Sequence, residues 1–221
     1  MNNTQFIERL GLWFFPRRCV WCRGVTEPQH MLCHACACGG QAASLRTEQS
    51  FVPGTTIPLV SVFPYRSRAK GILFNFKFRG GRKCAHSIGY AMGDALAQAL
   101  DKPARWLLCP VPMTAAQVKA RGYNQSALLA SAAAKWTGAD YTPSLLRKVR
   151  ETDIQHNLHA SQREENVRGA FEAAGEIHGR KIVLCDDICT TGATLRACAD
   201  ALWNAGAEEI VCLTFLRTEL E

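Results

Sequence analysis

The chain has 221 residues, 48% of them hydrophobic, enough to bury one full core with a small appendage but not several independent domains. Its formal charge is +7, and no apolar run approaches the roughly 18 residues of a membrane span, so no membrane insertion is expected. Eleven cysteines are scattered through it, and MNNTQFIERLGLWFF lacks the basic and long apolar regions of an export signal; a cytoplasmic protein with reduced or metal-bound thiols is predicted.

Phe6, Leu10 and Trp13 fall on one face of a short amphipathic helix, expected to dock on the protein. CVWC at 19–22 and CHAC at 33–36 then form two Cys-x-x-Cys pairs. Each pair sets two thiolates on one turn, and two facing turns complete a closed tetrahedral site, so Cys19, Cys22, Cys33 and Cys36 are predicted to hold a structural zinc. His30, His34 and Cys38 are spare donors within reach. Zinc would supply the folding energy that a segment of about 40 residues cannot obtain from burial. Residues 1–45 are therefore read as helix and zinc knuckle, 46–58 as a polar Pro- and Gly-containing linker, and 59–221 as the main domain.

No acidic residue lies between Glu48 and Asp94, an interval that holds Arg66, Arg68, Lys70, Lys77, Arg79, Arg82 and Lys83 together with Tyr65, Phe74, Phe76 and Phe78. Such a stripe either follows a single-stranded nucleic acid, with Lys70, Lys77, Arg79 and Arg82 as candidate contacts, or is a solvated basic face over core aromatics. The aromatic spacing fits both periods, and helix is the reading adopted.

Arg105–Cys109 reads as a strand ending in Pro110-Val111-Pro112, and Ser126–Trp136 as an Ala- and Leu-rich helix. Farther on, strand 181–185, helix 193–205 and strand 210–215 form a right-handed parallel crossover, hence an α/β sheet whose ligand sits at the carboxyl ends of the strands. KIVLCDDICTTGATL places Asp186 and Asp187 at that end. Adjacent carboxylates can accept hydrogen bonds from the cis-diol of a ribose. Thr190, Thr191, Gly192, Ala193 and Thr194 make the turn into the helix, whose amino-terminal amides, dipole and hydroxyls can surround a phosphate. A glycine at 192 admits close approach of the backbone. The motif reads as a holder for a ribose 5-phosphate. A P-loop NTPase is disfavoured because no G-x-x-x-x-G-K-[ST] precedes the acids. A merely capped helix leaves both acids unexplained.

VLCDDICTTGATL closely resembles the phosphoribosyl diphosphate signature of type I phosphoribosyltransferases. Along nearly its whole length the chain resembles the ComF family, also called the GntX or competence protein F group. The paired Cys motifs, YRSRAKGILFNFKFRGGR, PVPMTAAQVKARGYNQSALLA, LLRKVRETDIQHNLHASQREENVRGAF and the signature follow in the family's order. The resemblance implies a type I phosphoribosyltransferase fold, a parallel sheet flanked by helices, behind the four-cysteine zinc segment. It implies 5'-phosphoribosyl 1-diphosphate bound with magnesium, and an acceptor that no short motif names. Asp186 and Asp187 would orient the sugar and favour its developing cation, the loop Pro110–Thr114 with Val111 and Pro112 would contact the diphosphate, and Arg121 in RGYNQ would touch a phosphate. Residues 147–168, with Thr152, Gln155, Arg163, Asn166 and Arg168 at family positions, would form a mobile arm over the site, with His156 and His159 facing solvent. The setting it implies is DNA uptake and natural transformation, with single-stranded DNA and competence proteins as partners; dimers are common on this fold.

Overall fold

The structure is a computed structural model and describes residues 19, 24–26, 48–65, 67–78, 84–152, 165–175 and 177–218. Cys22, Cys33 and Cys36, the helix expected around Phe6–Trp13, and Arg79 and Arg82 lie outside the described residues. Cys19 is buried, and its backbone N–H donates to the Gly24 carbonyl at 2.7 Å.

A main sheet has strand order β1-β2-β8-β7-β3-β4. Its strands are β1 (Glu48–Phe51), β2 (Pro58–Pro64), β3 (Leu107–Pro110), β4 (Asp140–Tyr141), β7 (Lys181–Cys189) and β8 (Glu209–Arg217). β1 is antiparallel to β2; the other neighbours run parallel. A separate antiparallel pair, β5 (Leu146–Lys148) and β6 (Phe171–Ala173), stands apart as a hood. Five α-helices are described: α1 (Ser67–Phe78), α2 (Ala85–Ala99), α3 (Ala115–Arg121), α4 (Gln125–Thr137) and α5 (Ala193–Asn204). None is long and apolar enough to cross a membrane.

Alternation along the strands divides the core between the two sheet faces. Val183, Cys185, Leu213 and Phe215 pack with α1, α2 and α4, while Ile182, Leu184, Ile210 and Cys212 pack with α5 and the hood. Each fully buried large apolar side chain here contributes roughly 1.5–3 kcal/mol. α2 and α4 approach closely because both present small residues. A Cβ on Gly89 would lie 2.4 Å from the Cβ of Ala132, so only glycine fits.

Three boundaries differ from expectation. Residues 46–58 are not a bare linker: β1 forms there, the turn at Pro53-Gly54 closes a hairpin with β2, and Val52 and Ile57 are buried. The turn chemistry was legible, but the two buried apolar residues that anchor it were outweighed by their polar neighbours. The strand expected over Arg105–Cys109 starts later, after a 3-10 turn at Pro103–Arg105. The strand expected to stop at Cys185 continues to Cys189, because β8 keeps pairing with it as far as Cys189 opposite Arg217. β3 pairs only up to Cys185. The last part of β7, with both acids, is therefore bonded on one side and opens to a cleft on the other.

Candidate functional site

That cleft is a pocket of about 840 Å³ at the carboxyl end of the sheet. It brings together Asp186, Asp187, the whole Thr190–Thr194 turn, Val111, Pro112, Arg121, Lys70 and Lys77. The β7 acids differ in their partners. Asp186 Oδ1 accepts from the Ser126 hydroxyl at 2.7 Å and from the Asp187 N–H at 2.8 Å. Asp187 is paired with Lys77 of α1, Nζ to Oδ2 3.0 Å, with only 8% of its side chain exposed. Burial first, and the like charge of Asp187 second, push the Asp186 carboxyl up to about 7.

β7 ends in the turn Thr190–Gly192, and α5 begins at Ala193. Gly192 caps α5 with φ of 74° and contributes no side-chain cap, so no side chain of the cap competes for the first amides of a 12-residue helix. The glycine is needed for a further reason. Its missing Cβ would meet Val52 Cγ1 at 2.6 Å and Pro53 Cδ at 3.0 Å, so the turn is seated on the β1–β2 hairpin. The space that a side chain at 192 would take is filled by the hairpin.

The opposite side of the pocket is organised by RGYNQS, of which sequence reasoning singled out only Arg121. Gly122, with φ of 85°, ends α3 and reverses the chain, so the next residues face different walls. The Tyr123 hydroxyl donates to the Phe76 carbonyl in α1. Asn124 caps α4 by accepting from Ala127 N at 3.2 Å and donates to the Val111 carbonyl at 3.0 Å, fixing the loop after β3. Arg121 Nη1 donates to Gln125 Oε1 at 3.2 Å. With its oxygen so engaged, the amide of Gln125 points Nε2 elsewhere; this nitrogen is buried and has no hydrogen-bond partner among the described residues, in a residue 2% exposed that lines the pocket. A buried orphan donor is the mark of an acceptor supplied from outside.

Lys148 in the hood is a second residue that was missed. It sits two positions after buried Leu146 on a period-two strand, the one signal that placed it inward. Its ammonium donates to Thr152 Oγ1 at 2.7 Å and lies 3.5 Å from Gln117 Oε1, both neutral, and burial above all lowers its pKa. Thr114 caps α3 in a reciprocal box with Gln117, and its hydroxyl bonds Glu151, tying the loop after β3 to the chain beyond the hood strand. The rest of the expected arm, 153–164, lies outside the described residues. Cys189, the pocket's thiol, is pushed up to about 12 chiefly by burial, so it offers no thiolate nucleophile.

The model of the phosphoribosyl transferase domain family matches residues 87–219. DNA utilization protein YhgH of Salmonella typhi is 30% identical over 165 residues, covering 72% of this chain and 72% of that protein. Competence protein F of Haemophilus influenzae is 28% identical, covering 89% and 95%. Among solved structures, glutamine phosphoribosylpyrophosphate amidotransferase from B. subtilis overlaps 59% of this chain and 26% of its own at 24% identity and a TM-score of 0.39. A match that takes in more than half of the chain, with both acids and the Thr190–Thr194 turn inside it, places it: the chain belongs to the phosphoribosyl transferase domain family, within the group of competence protein F and YhgH.

Proposed function

We propose that this pocket binds 5-phosphoribosyl 1-diphosphate with magnesium and transfers the phosphoribosyl group to an acceptor. One observation carries the reading: two adjacent carboxylates and the start of a helix without a side-chain cap share a single pocket. Asp186 and Asp187 accept from the sugar diol, and the amides and hydroxyls of Thr190–Thr194 take the 5-phosphate. The diphosphate then lies toward Val111, Pro112, Arg121 and Lys148, where the Gln125 Nε2 donor awaits an oxygen. Departure of diphosphate leaves positive charge on the sugar, which the acid pair stabilises, and no protein nucleophile is required.

Among the described residues no three His, Cys, Asp or Glu side chains gather around a metal position. The donor set is two neighbouring carboxylates, which fits magnesium carried in by substrate phosphates and coordinated mostly by them and by water. Asp186 and Asp187 are the residues that would hold it, and it would supply charge neutralisation for the leaving diphosphate.

The biological setting we propose, DNA uptake, follows the names of the relatives. The zinc on Cys19, Cys22, Cys33 and Cys36 rests on spacing, and metal analysis of the purified chain should return one zinc, lost in Cys19→Ser with Cys22→Ser.

Calorimetric titration with magnesium phosphoribosyl diphosphate tests the site. Asp186→Asn with Asp187→Asn is expected to weaken binding at least a hundredfold with circular dichroism unchanged; equal affinity in the double variant sinks the assignment. Diphosphate release on adding an acceptor marks a transferase, and binding without release marks a non-catalytic sensor.

A further inference from the structure

The backbone carbonyls of Cys189, Thr190, Thr191 and Gly192 are each tied back into the protein. Thr218, just past β8, donates its N–H to the Cys189 carbonyl at 2.9 Å, and its hydroxyl donates to the Thr190 carbonyl at 3.3 Å. Arg196, on the first turn of α5, takes the other two. Its backbone N–H donates to the Gly192 carbonyl at 2.8 Å, and its guanidinium Nη1 to the Thr191 carbonyl at 3.1 Å. The same Nη1 also donates to the Pro53 carbonyl in the turn of the β1–β2 hairpin. That turn is itself braced: the Val52 carbonyl accepts from Thr55 N at 3.0 Å and from Thr55 Oγ1 at 2.8 Å, and Oγ1 accepts from Ile57 N at 3.1 Å.

We propose that Arg196 is a positioning residue for phosphate binding. It holds the Thr191 carbonyl so that the Gly192 N–H faces the ligand, and it couples that peptide to the amino-terminal hairpin. The proposal rests on the sugar-phosphate reading above and adds to it a residue that acts through the turn. In a trans peptide the C=O and N–H point to opposite sides, so a carbonyl gripped from one side sends the amide of the same peptide to the other. Thr190, Thr191 and Gly192 line the pocket, whereas Arg196 meets the turn through its carbonyls. A cationic donor on the carbonyl also polarises the peptide and strengthens its N–H as a donor to an anion. Pro53 lies outside residues 87–219, the span of the family match, so the hairpin becomes a working part of the phosphate site through this one side chain.

Calorimetry on the full chain tests this with two probes: ribose 5-phosphate, which needs the turn, and magnesium diphosphate, which on the same reading lies toward Arg121 and Lys148. Arg196→Met keeps the stem and removes the donors. It is expected to weaken ribose 5-phosphate binding about tenfold and to leave magnesium diphosphate binding as in wild type. Arg196→Lys, with charge and donors on a shorter stem, should recover part of the loss. Thr55→Val loosens the turn that presents Pro53 and should weaken ribose 5-phosphate about two- to threefold, again without moving magnesium diphosphate. In proton-nitrogen NMR spectra the Gly192 amide resonance should shift downfield when ribose 5-phosphate is added to wild type, and by less in Arg196→Met. Equal ribose 5-phosphate affinity in wild type and Arg196→Met, or a parallel loss of both probes, overturns the proposal. A loss in Arg196→Met with none in Asp186→Asn with Asp187→Asn would sink the acid clasp and leave the positioning role standing.

Discussion

Two walls of the pocket are built on different plans. The end of β7, the Thr190–Gly192 turn and the start of α5 are contiguous in sequence, lie inside the family match, and are held by strand pairing with β8. The α1 wall comes from far upstream, outside that match, reaches the acids through the Lys77–Asp187 ion pair, and is tied to the turn after α3 by the Tyr123–Phe76 hydrogen bond. The contiguous wall is fixed by strand pairing and a tight turn, whereas the upstream wall is a helix surface that can change by substitution without disturbing the strand. The contrast teaches that the acids and the turn beside them rest on local sequence, while the side chains around them depend on tertiary packing.

The sharpest way to break this division is at the tight joint between Gly192 and the amino-terminal hairpin. Gly192→Ala forces a side chain into a left-handed backbone and drives its Cβ into Val52. The expected loss is about 2–4 kcal/mol, from strain and overpacking together. Chemical denaturation measures it, and a loss below about 1 kcal/mol would show that hairpin and turn are not rigidly seated.

Next in size is Lys77→Met, which keeps the stem and removes the charge. Breaking a largely buried pair leaves Asp187 uncompensated, and with the lysine still one-fifth exposed the cost is expected near 2 kcal/mol. Lys77 also helps hold the Asp186 carboxyl down, so its titration should move to higher pH and weaken ribose 5-phosphate binding most near neutrality. If the titration midpoint does not move, α1 is merely adjacent to the acids and not electrostatically coupled to them.

A smaller effect isolates the contiguous wall. The Asp186 carboxyl has its folded-state pKa raised to about 7, above the usual carboxylate range. A group raised in this sense contributes stability that is fully present below about pH 4 and is lost as pH rises through about 7. Asp186→Asn removes that dependence. Its stability relative to wild type should therefore grow by about 1–2 kcal/mol between pH 6 and pH 8.5, while ligand affinity is lost throughout. A pH-independent difference would mean that Asp186 stays ionised in the folded chain.

The same contrast explains what could be read from sequence. The strand, turn and helix around Asp186 carry their signals within a few residues: an apolar run, two acids, a threonine-glycine turn and a three-four helical stripe. Their placement in one pocket followed. The helix at 67–78 was also anticipated, yet which of its faces met the pocket depended on the partner strand, and no local pattern announces that Lys77 will lie 3.0 Å from an aspartate so far along the chain. β7 ran on past its apolar stretch because β8 continued to pair with it, a tertiary cause. RGYNQS was noticed for its arginine, but its polar neighbours each bond a different element, and spacing alone cannot reveal that. Lys148 had a weak signal, in phase with Leu146 on a short strand, that its charged surroundings concealed.

Gln125 gives the smallest effect and the most discriminating one, since it belongs to neither wall. It sits on the first turn of α4 with its oxygen bonded to Arg121 and its Nε2 buried without a partner among the described residues. Leaving such a donor unpaired costs on the order of 1 kcal/mol or more in the ligand-free chain, a cost that a ligand oxygen cancels. Gln125→Leu removes the orphan while keeping the bulk. The variant should thus be as stable as wild type or up to about 1 kcal/mol more so, and should bind phosphoribosyl diphosphate about three- to tenfold more weakly. Ribose 5-phosphate, which lacks the diphosphate, should bind it as before if the donor serves that group. Equal weakening of both ligands would move Nε2 to the sugar and join Gln125 to the contiguous wall; a loss of stability with no change in either affinity would make it a packing residue, its amide turned away from any ligand.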